Sequence, residues 1–155
     1  MLRFVPLFAM PFAVLLVVGG YTQANPTAVM QPMAAASRHP APGILTITRH
    51  PVMWGIALWA ISHIPPNGDA ASLILFGGLA ILALGGTLAL DAKRRTRDPA
   101  NFARLAAVTS NLPFMAIREG RTQIGRVEPW RLLVAAAAYF SLMIAHPYIA
   151  GVPAM

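Results

Sequence analysis

The side chains of this chain best suited to ligation and proton transfer near neutral pH are its four histidines, and their spacing divides them. His50 stands in the corner Arg49-His50-Pro51. His63 closes the apolar run Trp54-Gly55-Ile56-Ala57-Leu58-Trp59-Ala60-Ile61-Ser62. Thirteen residues separate the two, which on an α-helix is about 20 Å along the axis and more than half a turn around it. They serve opposite ends of one helix and cannot hold one metal ion between them. An ionisable side chain in an apolar span is costly and should face the bundle interior. Two roles are open for His63 from its residues alone: a hydrogen bond to a backbone carbonyl or water, or axial ligation of haem iron as a neutral imidazole. His146, in Ala145-His146-Pro147-Tyr148, falls at the end of a later apolar run. It is the one histidine placed to share a cofactor with His63, or else an interfacial residue before a proline. His39-Pro40 has no partner at ligand spacing. Arg49 can reach a lipid phosphate or another anion, or simply anchor the start of its helix.

Other chemistries find little support. There is no cysteine, hence no thiolate ligand, nucleophile or disulfide. Asp69, Asp91, Asp98, Glu119 and Glu128 are scattered in loops or at helix ends and form no carboxylate pair. No glycine-rich phosphate loop and no Ser/His/Asp arrangement occurs.

The elements that must position these residues are membrane helices. Hydrophobic residues make up 57% of the chain and charged residues 11%, too few to clothe a soluble globule of 155 residues. The chain is expected to be all-α, a single polytopic membrane domain over 1–155. Its four transmembrane helices are placed at about 4–21, 48–66, 70–90 and 130–149. The first is read as a retained helix rather than a signal peptide. The second is short for a crossing of about 20 residues. Gly77-Gly78 and Gly85-Gly86 either permit close helix approach or reflect ordinary membrane composition. Trp130 and Tyr148 flank the last span as interfacial anchors.

The loop 91–129 is strongly basic. Nine of the twelve Lys and Arg residues lie between Asp91 and Arg131, whereas Pro65-Pro66-Asn67-Gly68-Asp69 has none. The positive-inside rule makes the basic loop cytoplasmic and that turn external, so both termini, His63 and His146 lie toward the outer side. The charge of +7 is therefore topological, and nucleic acid is not a partner. Within the loop, Asp98-Pro99 is a helix start, with Phe102, Leu105, Ala106 and Thr109 at helical spacing and Pro113 as a limit. These residues predict a short amphipathic helix lying on the membrane surface.

Several motifs resemble the NnrU family of bacterial membrane proteins: Asn25-Pro26-Thr27-Ala28-Val29, Gly43-Ile44-Leu45-Thr46-Ile47-Thr48-Arg49-His50-Pro51, Trp54-Gly55 with Ala57-Leu58-Trp59-Ala60 and His63, Asn67-Gly68-Asp69, Thr109-Ser110-Asn111-Leu112-Pro113-Phe114 and His146-Pro147-Tyr148. The resemblance covers nearly the whole chain. It implies a multi-pass protein of the bacterial inner membrane, linked to nitrogen-oxide metabolism and denitrification. It also implies kinship with the plastid 15-cis-ζ-carotene isomerase family, whose members hold haem b through histidines. By that resemblance His63 is a haem-ligating position, the metal ligand, and His50 another histidine of the shared motif; His146, from its depth, and Arg49, from its reach to an anion, join them as cofactor-binding candidates. Fuller members carry a further N-terminal helix with a His-Ser pair, which is expected to be missing here, leaving His146 or a partner chain to complete the coordination. The Arg-His-Pro corner also resembles isoprenylcysteine carboxyl methyltransferases. A third alternative is a non-catalytic component that binds partner helices or a second copy of itself, its histidines structural.

Overall fold

The computed structural model describes residues 4–23 and 41–152. His39 and the segment 25–29 lie outside them. Among the described residues the chain is helical, without strands: α1 (Val5–Thr22), a 3-10 turn (Gly43–Thr46), α2 (Pro51–His63), α3 (Ala70–Arg97), α4 (Pro99–Val108), α5 (Met115–Arg118) and α6 (Pro129–Ala150).

Three of these helices are apolar and long enough to cross a bilayer. With 18, 28 and 22 residues, α1, α3 and α6 reach about 27, 42 and 33 Å, against a hydrocarbon core of about 30 Å. α2 has 13 residues, about 20 Å, and falls short of the span expected at 48–66. It is packed between α1 and α3, while α6 packs on the other side of α1, so the order across the bundle is α6–α1–α2–α3. A helix walled in by other helices need not match the bilayer thickness. The long helices turn Phe8, Phe12, Ile74, Ile81, Leu82, Leu133, Ile144 and Ile149 outward, the surface that lipid covers.

Close packing occurs at α1 and α2 rather than on α3. A Cβ at Gly20 would stand 2.6 Å from Val52 Cγ2, and one at Gly55 would stand 2.7 Å from Val17 Cγ2 and 2.8 Å from the Ala13 carbonyl. Glycine lets the two backbones meet there. Gly77, Gly78 and Gly85 would meet nothing within 4 Å. Of the α3 glycines only Gly86 approaches a neighbour, its Cβ position lying 3.6 Å from Met53 Sδ on α2; the other three have nothing to approach.

Local signals place the helix ends. Asp69 caps α3 by accepting from Ser72 N (2.9 Å), and hydrogen bonding by Ser72 holds its carboxyl below the ordinary carboxylate range. Asp98 caps α4 through Asn101 N (3.2 Å), with Pro99 in the first turn as the sequence predicts. Asn101 likewise lowers the Asp98 carboxyl. One boundary and one orientation differ from expectation. α3 continues through 91–97, which the charge pattern assigned to the loop. α4 forms where expected, but its Phe102 and Leu105 are buried in the protein rather than laid on a membrane: Phe102 stacks beneath the guanidinium groups of Arg49 (5.6 Å) and Arg95 (5.4 Å).

Candidate functional site

The four candidate residues separate into two sites at opposite ends of α2. At its start, Arg49 and His50 converge on Asp91 of α3. Arg49 makes a two-pronged ion pair, Nε to Oδ1 at 2.9 Å and Nη2 to Oδ2 at 2.7 Å, and donates Nη1 to the Thr109 carbonyl at 3.2 Å. His50 Nε2 lies 2.7 Å from Asp91 Oδ1. A carboxylate accepts, so Nε2 carries the hydrogen. All three side chains are buried, with 11%, 1% and 10% exposure for Arg49, His50 and Asp91. The backbone closes round them: Arg49 N donates to Ser110 O (2.9 Å), Thr48 Oγ1 to Asn111 O (2.7 Å) and Phe114 N to Ile47 O (2.8 Å). Segment 109–114 is thus clipped onto the turn that launches α2. A buried carboxylate shared by a guanidinium and an imidazole N–H is an interaction whose loss is costly, because it takes the ion pair from a guanidinium held away from water. Arg49 is not extended toward a headgroup; it is held by Asp91.

Asp91 escaped the sequence reading, which set it aside as a helix-end carboxylate. Its partners lie 41 and 42 residues away, and the one local signal was an acid immediately before a run of four cations within seven residues.

The far end of α2 is built differently. His63 Nδ1 lies 2.7 Å from the carbonyl of Trp59, one turn back. A carbonyl can only accept, so the hydrogen is on Nδ1, and Nε2 presents its lone pair. Ser62 Oγ donates to the same carbonyl at 2.8 Å. The imidazole is set in an aromatic corner, its ring centroid 5.7 Å from Trp59 and 5.3 Å from Phe76. Asn67 Nδ2 donates to the His63 carbonyl (2.8 Å) where Pro65 and Pro66 end the helix.

His146 repeats the arrangement from α6. Its Nδ1 donates to the Val152 carbonyl at 2.8 Å. Gly151, at φ 72°, makes this possible: its left-handed conformation ends α6 and turns the chain back, bringing the next carbonyl over His146. Here too Nε2 is left with a lone pair. Among the described residues neither Nε2 has a hydrogen-bond partner.

Both histidines line the same two adjoining cavities. One, about 320 Å³, has Pro6, Met10, Asn67, Tyr139 and Met143 among its walls. The other, about 540 Å³ and strongly apolar, runs along Val14, Val17, Ile56, Trp59, Phe76 and Leu142. Tyr139 Oη donates to the Leu7 carbonyl (3.2 Å) and ties α6 to α1 beside them. The structure therefore brings His63 and His146 together, as their depth suggested, while Arg49 and His50 line neither cavity.

The residues present fit a haem better than a bare ion. Among the described residues no group of three or more His, Cys, Asp or Glu side chains could cage a metal. His63 and His146, each with Nδ1–H on a backbone carbonyl and Nε2 open beside an apolar cavity, are the residues that would hold such a group, as nitrogen donors to its iron.

Over residues 1–154 the sequence matches the family described as NnrU protein. The chain belongs to the NnrU family. Among curated proteins it is similar to the chloroplastic 15-cis-zeta-carotene isomerase of Zea mays, 33% identical over 110 residues. That stretch covers 68% of this chain and 30% of the maize protein. The isomerase of Arabidopsis thaliana is 35% identical over 79 residues, 51% of this chain and 22% of its own length. No solved structure matches.

Proposed function

We propose that this NnrU-family membrane protein holds haem b between His63 and His146 and serves isomerisation of a carotene-like polyene. The observation that carries the proposal is the matched pair of imidazoles, each with its tautomer fixed and Nε2 open, on the walls of the same cavities. Similarity to 15-cis-zeta-carotene isomerases supports the substrate class, and the apolar cavity is suited to a hydrocarbon chain. Bound haem would supply redox or Lewis-acid chemistry; the chain's own contribution is to orient two ligands, exclude water and line the substrate with apolar side chains. Arg49 and His50, engaged with Asp91, are assigned to holding α2 rather than to the cofactor. We further place the protein in a bacterial cytoplasmic membrane, with the basic end of the bundle inside.

Titration of the purified, detergent-solubilised full chain with haem b tests the reading. A Soret band that shifts on binding, and is lost in both His63→Ala and His146→Ala, is the expected result. Absence of binding by the parent chain, or variants that bind like the parent, would sink the pair. A cis-carotene assay on the loaded protein tests the isomerase step separately.

A further inference from the structure

We infer that the turn Leu112-Pro113-Phe114-Met115, at the basic end of the bundle, is a membrane wedge whose Leu112 and Phe114 side chains enter the acyl region of the adjacent leaflet. Met115 N donates to the Leu112 carbonyl at 3.3 Å, with proline in the second position and Phe114 in the third at φ 64°, ψ −4°. A turn of this type ordinarily takes glycine in that place, because a side chain resists positive φ. Phe114 is the one non-glycine residue with positive φ among the described residues. The surroundings hold it there: Phe114 N is bonded to Ile47 O, Ser110 Oγ donates to Leu112 O (2.7 Å), and Ala116 N donates to Ser110 Oγ (3.0 Å). What the strained backbone displays is apolar and outward, with Leu112 51% and Phe114 55% exposed. Strain kept in place to expose a phenyl ring asks for something that ring contacts.

The depth of the turn identifies that contact as lipid. Its root, Asn111, donates to Thr87 Oγ1 on α3 (2.9 Å) and accepts from Trp54 Nε1 on α2 (3.3 Å). Next to Thr87 is Leu88, 66% exposed on a membrane-spanning helix. The exposed cations Lys93, Arg95 and Arg97 follow 6, 8 and 10 residues later, about 9–15 Å farther along the axis. Cations at that level suit anionic headgroups, which puts the turn on the acyl side of them. α4, the element expected to lie on this surface, has its apolar face turned into the protein, and the turn takes its place.

The absence of cysteine permits a direct test. Leu112→Cys, Phe114→Cys and, as a water-exposed reference in the same loop, Gln123→Cys would each carry an environment-sensitive fluorophore. The full chain is reconstituted in vesicles of phosphatidylcholine and phosphatidylglycerol. Labels at 112 and 114 are expected to emit to the blue of the label at 123, to lose quenching by iodide, and to be quenched by a lipid-borne quencher. Iodide quenching at 112 and 114 equal to that at 123 would overturn the wedge. So would protection from iodide without lipid quenching, since that pattern means another protein surface covers the turn. Two label positions guard against one variant failing to fold.

Discussion

The two ends of α2 carry similar residue types and put them to opposite uses. At its start, His50 meets a carboxylate through Nε2, and that carboxylate is shared with a guanidinium. At its end, His63 meets a backbone carbonyl through Nδ1, leaving Nε2 open beside a cavity. Among the described residues each imidazole leaves one nitrogen without a partner, but His50 Nδ1 is buried in packed protein while His63 lines a cavity, and that surrounding separates a brace from a candidate ligand. The first end is closed and cross-linked by segment 109–114; the second is open and lined by α1 and α6. Stability should therefore concentrate at the Asp91 end and ligand binding at the His146 end.

The strongest way to break this contrast is Asp91→Ala. Removing the shared anion takes the ion pair from Arg49 and the side-chain hydrogen bond from His50 and should cost about 3–5 kcal/mol, read as lost thermal stability in detergent. A change under about 1 kcal/mol would show that the cluster is not the brace assigned to it. Next is Gly55→Val, which drives a side chain into Val17 and the Ala13 carbonyl; overpacking should cost about 1–3 kcal/mol of thermal stability. His63→Ala sharpens the contrast from the other end. Losing one hydrogen bond and its aromatic contacts should cost about 1 kcal/mol, while the proposed haem should no longer bind on titration. Equal stability losses for His63→Ala and Asp91→Ala would erase the distinction. The smallest effect belongs to Gly77→Ala, where a Cβ meets nothing: stability should hold or rise by up to about 1 kcal/mol, against a clear loss at Gly55.

Features governed by near neighbours were the legible ones. Asp98-Pro99 announced the start of α4 because a cap needs only the next three residues. The apolar runs announced α1, α3 and α6 because bilayer thickness sets a minimum length. The common depth of His63 and His146 followed from alternating helix direction. The orientation of α4 was not legible: its apolar stripe suits a membrane surface or a protein surface equally, and Arg49 and Arg95 closing over Phe102 decide between them. That α2 is short was legible in its apolar run, and its place between α1 and α3, which releases it from the bilayer, is what packing added.

The sequence by itself determined an all-helical membrane protein of the NnrU type, the places of its long helices apart from the last turns of α3, and four residues worth watching. Only tertiary structure decided what each of those residues touches. It paired Arg49 and His50 with an Asp91 more than forty positions away, and it set His63 and His146 on one cavity through a carbonyl one turn back and another brought round by Gly151. The physical reason is that hydrophobic length and capping are local quantities summed along the chain. The partner of a buried charge, and the nitrogen an imidazole leaves open, depend on which backbones the packed helices bring within about 3 Å.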